Sequence, residues 1–319
     1  MSNKVAIIDM GTNTFHLLLA ECTGKGQYEI IFRDRTAVRI GKGGINDGHI
    51  TKEGMERAVL AMQGFKVIID QNRIDNIKAF GTSALRSAVN SDEVLTRIQV
   101  ATGIEVKIIS GDIEAEYIYW GVRYGLEMGS GKSLVMDIGG GSVEFIIANN
   151  EQIFWKKSLE IGAQRLLEKF HQHDPITVDE IGMLYDYFAE NLNPLFEALK
   201  LNPAGTLIGA SGTFDTLSDI YCSQESVAKG DNDPETPLTL AAFHRIAEEI
   251  ILKNRKDRMA IRGMIEMRVD MIVVTCCLIK YILSRYRFDA IRVSSYSLKE
   301  GVLASLAQAM YTSDFAWSK

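Results

Sequence analysis

Cysteine is scarce in this chain of 319 residues: there are four, Cys22, Cys222, Cys276 and Cys277. None stands in a Cys-x-x-Cys pair. Neither a zinc site nor a disulfide framework is therefore indicated, and buried free thiols in a reducing compartment are expected. A long hydrophobic run is also lacking. The longest, from Met271 to Leu283, is interrupted by Lys280 and is shorter than the ~20 residues a membrane span needs. The apolar stretch Val5–Ile8 runs straight into Asp9, which is too short for a secretory leader. Nor is there a basic excess: 35 Lys and Arg stand against 41 Asp and Glu, a net charge of −6. That balance argues against a general nucleic-acid binder. These absences place the protein in the cytoplasm, with no membrane and no nucleic acid among its expected partners.

What is present is an ordinary globular composition, 46% hydrophobic and 24% charged, at a length of about two average domains. Three apolar segments open the chain: Val5–Asp9, Phe15–Glu21 and Tyr28–Phe32. Residues 51 to 72 show helical spacing, with Met55, Val59, Met62 and Val67 on one face. A strand at Ile77–Phe80, a helix at Asp92–Ala101, a strand at Ile104–Ser110 and a helix capped by Asp112 follow. The pattern then restarts. Strands at Leu134–Asp137, Val143–Ala148 and Ile153–Leu159 precede helices at Ala163–His171 and Asp179–Leu199. A strand at Leu207–Ala210, helices at Leu238–Lys253 and Met271–Arg285, a strand at Ile291–Ser294 and a helix at Lys299–Met310 complete it. Three strands and then alternating helices and strands, twice over, predict two similar α/β domains.

The repeat is visible residue by residue. Ile7-Ile8-Asp9-Met10-Gly11-Thr12-Asn13-Thr14 and Val135-Met136-Asp137-Ile138-Gly139-Gly140-Gly141-Ser142 both read apolar, apolar, Asp, x, Gly, then small polar residues before a second strand. A glycine-rich turn between strands lets backbone N–H groups converge on an anion, and the aspartate at the strand end suits Mg²⁺. A third small-residue turn, Gly209-Ala210-Ser211-Gly212-Thr213, lies between a strand and a helix. Phosphate contact and simple strand–helix packing are both open for it. Gly129-Ser130-Gly131-Lys132-Ser133 ends like a P-loop but has Leu126 where the first glycine belongs, and it precedes a strand. His171-Gln172-His173-Asp174 reads as a solvated helix end rather than a metal site.

These turns occur in order with Gly81-Thr82-Ser83-Ala84-Leu85-Arg86, Ser110-Gly111-x-x-Glu114-Ala115, Asp137-Ile138-Gly139-Gly140-Gly141-Ser142-x-Glu144 and Glu300-Gly301-Val302-Leu303. The set resembles the exopolyphosphatase and guanosine pentaphosphate phosphohydrolase (Ppx/GppA) family over nearly the whole chain. The resemblance implies an α/β protein of two ribonuclease-H-like domains of the actin/Hsp70/sugar-kinase superfamily, with an interdomain cleft. The expected division is 1–125, with the helix 299–319 packed back on it, and 126–298, the short two-domain form of the family. It implies Mg²⁺-dependent release of a terminal phosphate, with Glu114 as the base that activates water. Asp137 and Glu144 would serve Mg²⁺ and water positioning, with Asp9 as a further metal ligand. Thr12, Asn13, Thr14, Arg86, Gly139, Gly140, Gly141, Ser142, Ser211, Gly212 and Arg268 would bind the substrate phosphates. Arg39, in Val38-Arg39-Ile40-Gly41, also matches the family, with an exposed strand arginine as the equal alternative. Ile113 departs from a usual glutamate, and Ser297 and Lys299 from a usual Gly and Arg. Inorganic polyphosphate and guanosine pentaphosphate are both implied substrates. A non-catalytic sensor of either, or a sugar or acetate kinase of the same superfold, are the readings from other classes. A homodimer is left open.

Overall fold

The computed structural model of the chain describes residues 4–24, 27–230 and 233–309. Two compact units divide it, one formed by Met1–Tyr124 with Leu298–Lys319 and one by Gly125–Ser297.

The first unit is built on β1 (Lys4–Met10), β2 (Thr14–Gly24) and β3 (Gln27–Ala37), an antiparallel meander. Next come α1 (Lys52–Gln71), β4 (Ile77–Gly81), α2 (Ser83–Ser87), α3 (Ser91–Thr102), β5 (Val106–Ile108) and α4 (Gly111–Gly125). The sheet order is β3-β2-β1-β4-β5, with β4 parallel to both β1 and β5. The second unit repeats it with β6 (Ser133–Ile138), β7 (Val143–Ala148) and β8 (Ile153–Leu159), then α5 (Ala163–Phe170), α6 (Val178–Asn191), α7 (Asn193–Leu201), β9 (Thr206–Ala210) and α8 (Gly212–Glu225). The two-residue β10 (Glu235–Thr236), α9 (Leu240–Leu252), α10 (Arg255–Met259), α11 (Ile272–Arg285) and β11 (Ala290–Ser294) complete it. Here the order is β8-β7-β6-β9-β11-β10, again an antiparallel meander followed by the parallel strands β9 and β11, with β10 antiparallel at the edge. A helix α12 (Leu298–Ala309) belongs to the first unit and packs on β1, β2 and β3. The strand order 3-2-1-4-5, found twice, is the ribonuclease-H-like topology.

Local chemistry explains the elements and corrects several expected ones. Thr51 caps α1 by accepting from the Gly54 amide at 3.1 Å. The buried stripe of α1 is Met55, Ala58, Met62, Phe65 and Ile69, spaced three and four apart. Val67 falls off that stripe and is 56% exposed, so the expected face was turned too far. The helix expected over Asp179–Leu199 is two helices, because Pro194 lacks an amide hydrogen and restricts the residue before it, and the chain breaks at Leu192. Asp112 lies inside the first turn of α4, and Ser110 Oγ instead accepts from the Ile113 amide at 3.3 Å. β3 runs longer than Tyr28–Phe32, and β5 is shorter than Ile104–Ser110. In α11, ten residues from Ile272 to Ile282 are buried, which accounts for the apolar run noted above. Among the described residues no helix is long and apolar enough to cross a membrane. Cys222, Cys276 and Cys277 are buried free thiols; the side chain of Cys22 lies outside the described residues. Burial raises the Cys277 thiol to about 12.

Candidate phosphate-binding loops and the Glu114 site

The two hairpin loops that open the units are built to one plan. In the first, the Gly11 amide donates to the Thr14 carbonyl at 3.1 Å; in the second, the Gly139 amide donates to the Ser142 carbonyl at 3.0 Å. In each unit the segment leaving the third strand passes under the loop and takes hold of its carbonyls. Arg39 N donates to Asn13 O at 2.8 Å and Gly41 N to Thr12 O at 3.2 Å. Gly162 N donates to Gly141 O at 3.0 Å, Gln164 N to Gly140 O at 2.8 Å and Ala163 N to Gly139 O at 2.9 Å. The offsets agree, since Arg39 and Gly41 stand to Asn13 and Thr12 as Gly162 and Gln164 stand to Gly141 and Gly140.

The planar trans peptide turns this into a functional geometry. A carbonyl and the amide hydrogen that follows it point in opposite directions. Carbonyls drawn toward the supporting segment therefore aim the amides of Asn13 and Thr14 away from it. In the second unit they do the same for Gly140, Gly141 and Ser142. Among the described residues no hydrogen bond uses the Gly140 or Gly141 amide as donor. Consecutive amides pointing one way form a concavity suited to phosphate oxygens. In the first loop Thr12, Asn13 and Thr14 are buried, and Thr12 Oγ1 has no hydrogen-bond partner among the described residues. The support in the second unit depends on Gly162, because a Cβ there would lie 2.5 Å from the Gly140 carbonyl carbon. Arg165 adds Nε to Gly141 O at 2.9 Å and Nη2 to Glu160 at 3.0 Å.

The acidic residues of the two loops differ. Asp137 on β6 is the direct antiparallel partner of Glu144 on β7, so both project from the same face. They are 5% and 1% exposed. Two carboxylates held side by side out of water repel each other unless a cation or proton intervenes, and an all-oxygen pair suits a hard divalent ion. Ser158 donates to Glu144 Oε1 at 2.7 Å, and the Ser297 hydroxyl donates to Asp137 Oδ2. Asp9 holds the equivalent of the Asp137 position, but its partner across the pair is His16. Among the described residues no cluster of three or more metal-ligating side chains occurs, so the second unit offers two protein ligands.

Glu114 sits in the first turn of α4, 7% exposed. Arg86, near the end of α2, reaches it with Nη1 at 2.7 Å, and the same nitrogen bonds Ile109 O at 3.2 Å. Arg86 and Glu114 are thus brought together by two turns at the ends of neighbouring parallel strands, Gly81-Thr82-Ser83 after β4 and Ile109-Ser110 after β5. Lone surface ion pairs contribute about 0–1 kcal/mol, whereas breaking a buried pair costs about 3–5 kcal/mol. The pair therefore fixes how the carboxylate is aimed. Gly301 of α12 lies so close to the Tyr117 carbonyl of α4 that no Cβ fits. The glycine of Glu300-Gly301 is thereby a packing residue that sets α12 against the helix carrying Glu114. Ile113 is 40% exposed beside it.

The third turn shows strand–helix packing, and an arginine stands beside it. Gly209 makes room for the Phe214 ring, which is strand–helix packing. Ser211 has φ +73° and ψ 175°, a backbone region that is nearly glycine-only and costs about 1–3 kcal/mol. The Arg268 guanidinium lies directly against Gly212 at the start of α8. Asp270 faces away to Arg255 Nε at 3.1 Å. Arg39 is not a strand arginine: β3 ends at Ala37, and Arg39 is half-buried with φ +51°. His171 is not solvated either. Its side chain is 5% exposed, neither ring nitrogen has a hydrogen-bond partner among the described residues, and Nε2 lies 3.9 Å from Asp174 Oδ1. Burial and the neighbouring Arg258 lower its pKa. His173 instead is exposed and contacts Glu180 at 3.0 Å. The supporting residues Arg57, Ser158, Gly162, Gln164 and Arg165 were not singled out from the sequence. The one available signal was the Gly162 that separates a strand from a helix.

Residues 20–310 match the model of the Ppx/GppA phosphatase family. An exopolyphosphatase from Cytophaga hutchinsonii, solved by crystallography, is 43% identical, with 96% of this chain and 98% of that one covered and a TM-score of 0.93. The crystal structure of an Aquifex aeolicus member of the Ppx/GppA family is 26% identical, covering 97% and 99%, with a TM-score of 0.77. Exopolyphosphatase 1 of Mycobacterium tuberculosis is 27% identical over 303 residues, 94% of this chain and 87% of that one.

Proposed function

The chain belongs to the Ppx/GppA phosphatase family, and from that membership and its paired loops we propose that it is an exopolyphosphatase, releasing orthophosphate from the end of inorganic polyphosphate. The single observation that carries this reading is the outward-facing amide row of Gly140, Gly141 and Ser142 beside the buried carboxylates Asp137 and Glu144. Such a row supports phosphate binding, and the two carboxylates support a cation beside it.

The residues take the following roles in this reading. Gly139, Gly140, Gly141 and Ser142 hold phosphate oxygens through backbone amides, and Thr12, Asn13 and Thr14 do so from the first unit. Ser211, Gly212 and Arg268 add the start of α8 and a guanidinium. Asp137 and Glu144 would hold Mg²⁺, with Asp9 as a further ligand; the bound ion would neutralise charge on the phosphate oxygens. Glu114, aimed by Arg86, orients a water molecule and takes its proton as the oxygen attacks the terminal phosphorus in line. The P–O bond to the bridging oxygen breaks, and the shortened chain leaves as the anion. Water and a chain of n phosphates thereby become orthophosphate and a chain of n − 1. The buried free thiols support a reducing, cytoplasmic setting.

The test is phosphate release from polyphosphates of defined length, with and without Mg²⁺, by wild type and Glu114→Gln. General-base catalysis contributes about 10²–10⁴-fold, so kcat is expected to fall by that order in the variant while polyphosphate binding persists. Unchanged turnover removes Glu114 as the base. Faster release from guanosine pentaphosphate than from polyphosphate, measured in competition, replaces the substrate and keeps the chemistry.

A further inference from the structure

Arg57 lies on α1. Its Nε donates to the Val38 carbonyl at 2.7 Å and its Nη2 to the Arg39 carbonyl at 2.9 Å. One half-buried guanidinium thus grips two successive carbonyls of the segment that supports the first hairpin loop. Arg39 between them has φ +51°, a left-handed conformation that non-glycine residues adopt only when their surroundings impose it. Its amide is held by Asn13 O, and its carbonyl also accepts from the Lys42 amide at 3.2 Å. Two residues on, Gly41 fits against Thr12, where a Cβ would meet Thr12 Cγ2 at 2.5 Å. Among the described residues no hydrogen bond or ion pair engages the Arg39 guanidinium, and Thr12, whose carbonyl accepts from the Gly41 amide, has a buried Oγ1 without a hydrogen-bond partner.

We propose that Arg57 is a positioning residue for substrate binding: its fork on the Val38 and Arg39 carbonyls holds Arg39 left-handed, which presents the Arg39 guanidinium to substrate phosphate and keeps the Thr12 and Asn13 carbonyls turned away from it. This rests on the exopolyphosphatase reading above. The choice of arginine follows from the geometry, because two parallel donors in one plane match two adjacent carbonyls, and a lysine ammonium satisfies one of them at a time.

The experiment is a double-mutant cycle on tripolyphosphate with Mg²⁺. It compares wild type, Arg57→Met, Arg57→Lys, Arg39→Ala and Arg39→Ala/Arg57→Met. KM and kcat are measured by phosphate release, tripolyphosphate affinity by calorimetry, and Tm for each protein. Arg57→Met is expected to raise KM by about tenfold with kcat changed less than about threefold, the mark of lost binding common to ground and transition states. Arg57→Lys should fall between. In the Arg39→Ala background the same Arg57 substitution should add less than about twofold, since residues acting through one another are not additive. Multiplicative effects overturn the proposal, as does an Arg57→Met protein that loses only Tm and keeps wild-type KM. An Arg39→Ala protein with wild-type affinity overturns it too, by removing the group through which Arg57 acts. A wild type that binds tripolyphosphate but never hydrolyses it breaks the exopolyphosphatase reading, and the cycle is then judged on the calorimetric affinities alone.

Discussion

The two hairpin loops share a backbone plan and differ in what enforces it. In the second unit the loop is three glycines, and its carbonyls rest on the start of α5 through the amides of Gly162, Ala163 and Gln164. In the first unit the loop is Thr12-Asn13-Thr14, and its support is an irregular segment held by Arg57. The bare glycine loop offers only backbone, so its support must come close, and a glycine at 162 permits that. The first loop carries side chains, and the Arg57 guanidinium grips its supporting segment, whereas Arg165 in the second unit bonds the Gly141 carbonyl of the loop itself. The difference extends to charge. Asp137 faces Glu144 across its strand pair, whereas Asp9 faces His16. The second hairpin thus sets two carboxylates side by side, and the first sets a carboxylate beside an imidazole.

The comparison breaks most sharply at positions 162 and 39, which make the same hydrogen bond in the two units. Gly162→Ala puts a Cβ 2.5 Å from backbone, and since neither side is a flexible side chain the loop must shift. Phosphate release should fall by at least about 100-fold, with stability lowered by about 2–4 kcal/mol, in the range of severe backbone and overpacking lesions. An alanine variant with near-wild-type kcat and Tm would mean that the second loop does not depend on close support.

A smaller effect is expected from acid. Just beyond α5, the Gln172 and His173 amides donate to Glu180 Oε1 at 2.8 and 3.0 Å, and Thr177 donates to Oε2. Burial alone would raise this carboxyl, but hydrogen bonds from Thr177, His173 and Gln172 outweigh it and hold the pKa at about 2, below the ordinary 4.5. A depressed carboxyl stabilises the folded state above its unfolded pKa, and that stability is lost as pH falls from about 4.5 toward about 2. His171 acts in the same direction at higher pH. Its lowered pKa disfavours the folded state as pH drops below 6.5, where the unfolded imidazole takes a proton first. The anchor of α5 should therefore weaken in acid. Thermal melts of wild type and Glu180→Gln between pH 7 and 3 test this: the variant should start lower and lose less Tm between pH 4.5 and 3. Equal slopes would detach Glu180 from the acid response.

The smallest effect belongs to Arg39→Gly. Removing a left-handed side chain relieves about 1 kcal/mol, offset in part by glycine's extra chain entropy. Tm should stay within a few degrees of wild type while polyphosphate affinity drops. The opposite pattern, a large Tm loss with affinity intact, would make Arg39 a purely structural residue and the two supports more alike than described here.

Much of this was readable before the fold was known. The pair of Asp-x-Gly hairpins, the restart of the strand pattern and the ordered motifs around Glu114 all depend on neighbours in sequence, and periodicity reports such neighbours directly. The errors came where one face or one break decides. Val67 was assigned to the buried side of α1 by a helix turn counted slightly wide, and Pro194 was passed over inside an apolar pattern that runs through it. His171 reads as solvated from its neighbours in sequence because Arg258, 87 positions away, is brought near it only by the fold. Arg57 is 19 and 18 residues from the two carbonyls it holds, and on α1 it reads as an ordinary half-exposed helix arginine.

The amino-acid sequence by itself determined the family, the duplicated α/β topology and the residue types of each loop. Those follow from local pattern: alternating burial makes the strands, and glycine or small polar residues make the turns. Only the tertiary structure decided which way each peptide of the loops faces. A peptide's direction is set by what grips its carbonyl, and the grips come from the segment after the third strand and from Arg57 on α1. The sequence names the atoms that can donate to phosphate, and packing from distant positions aims them.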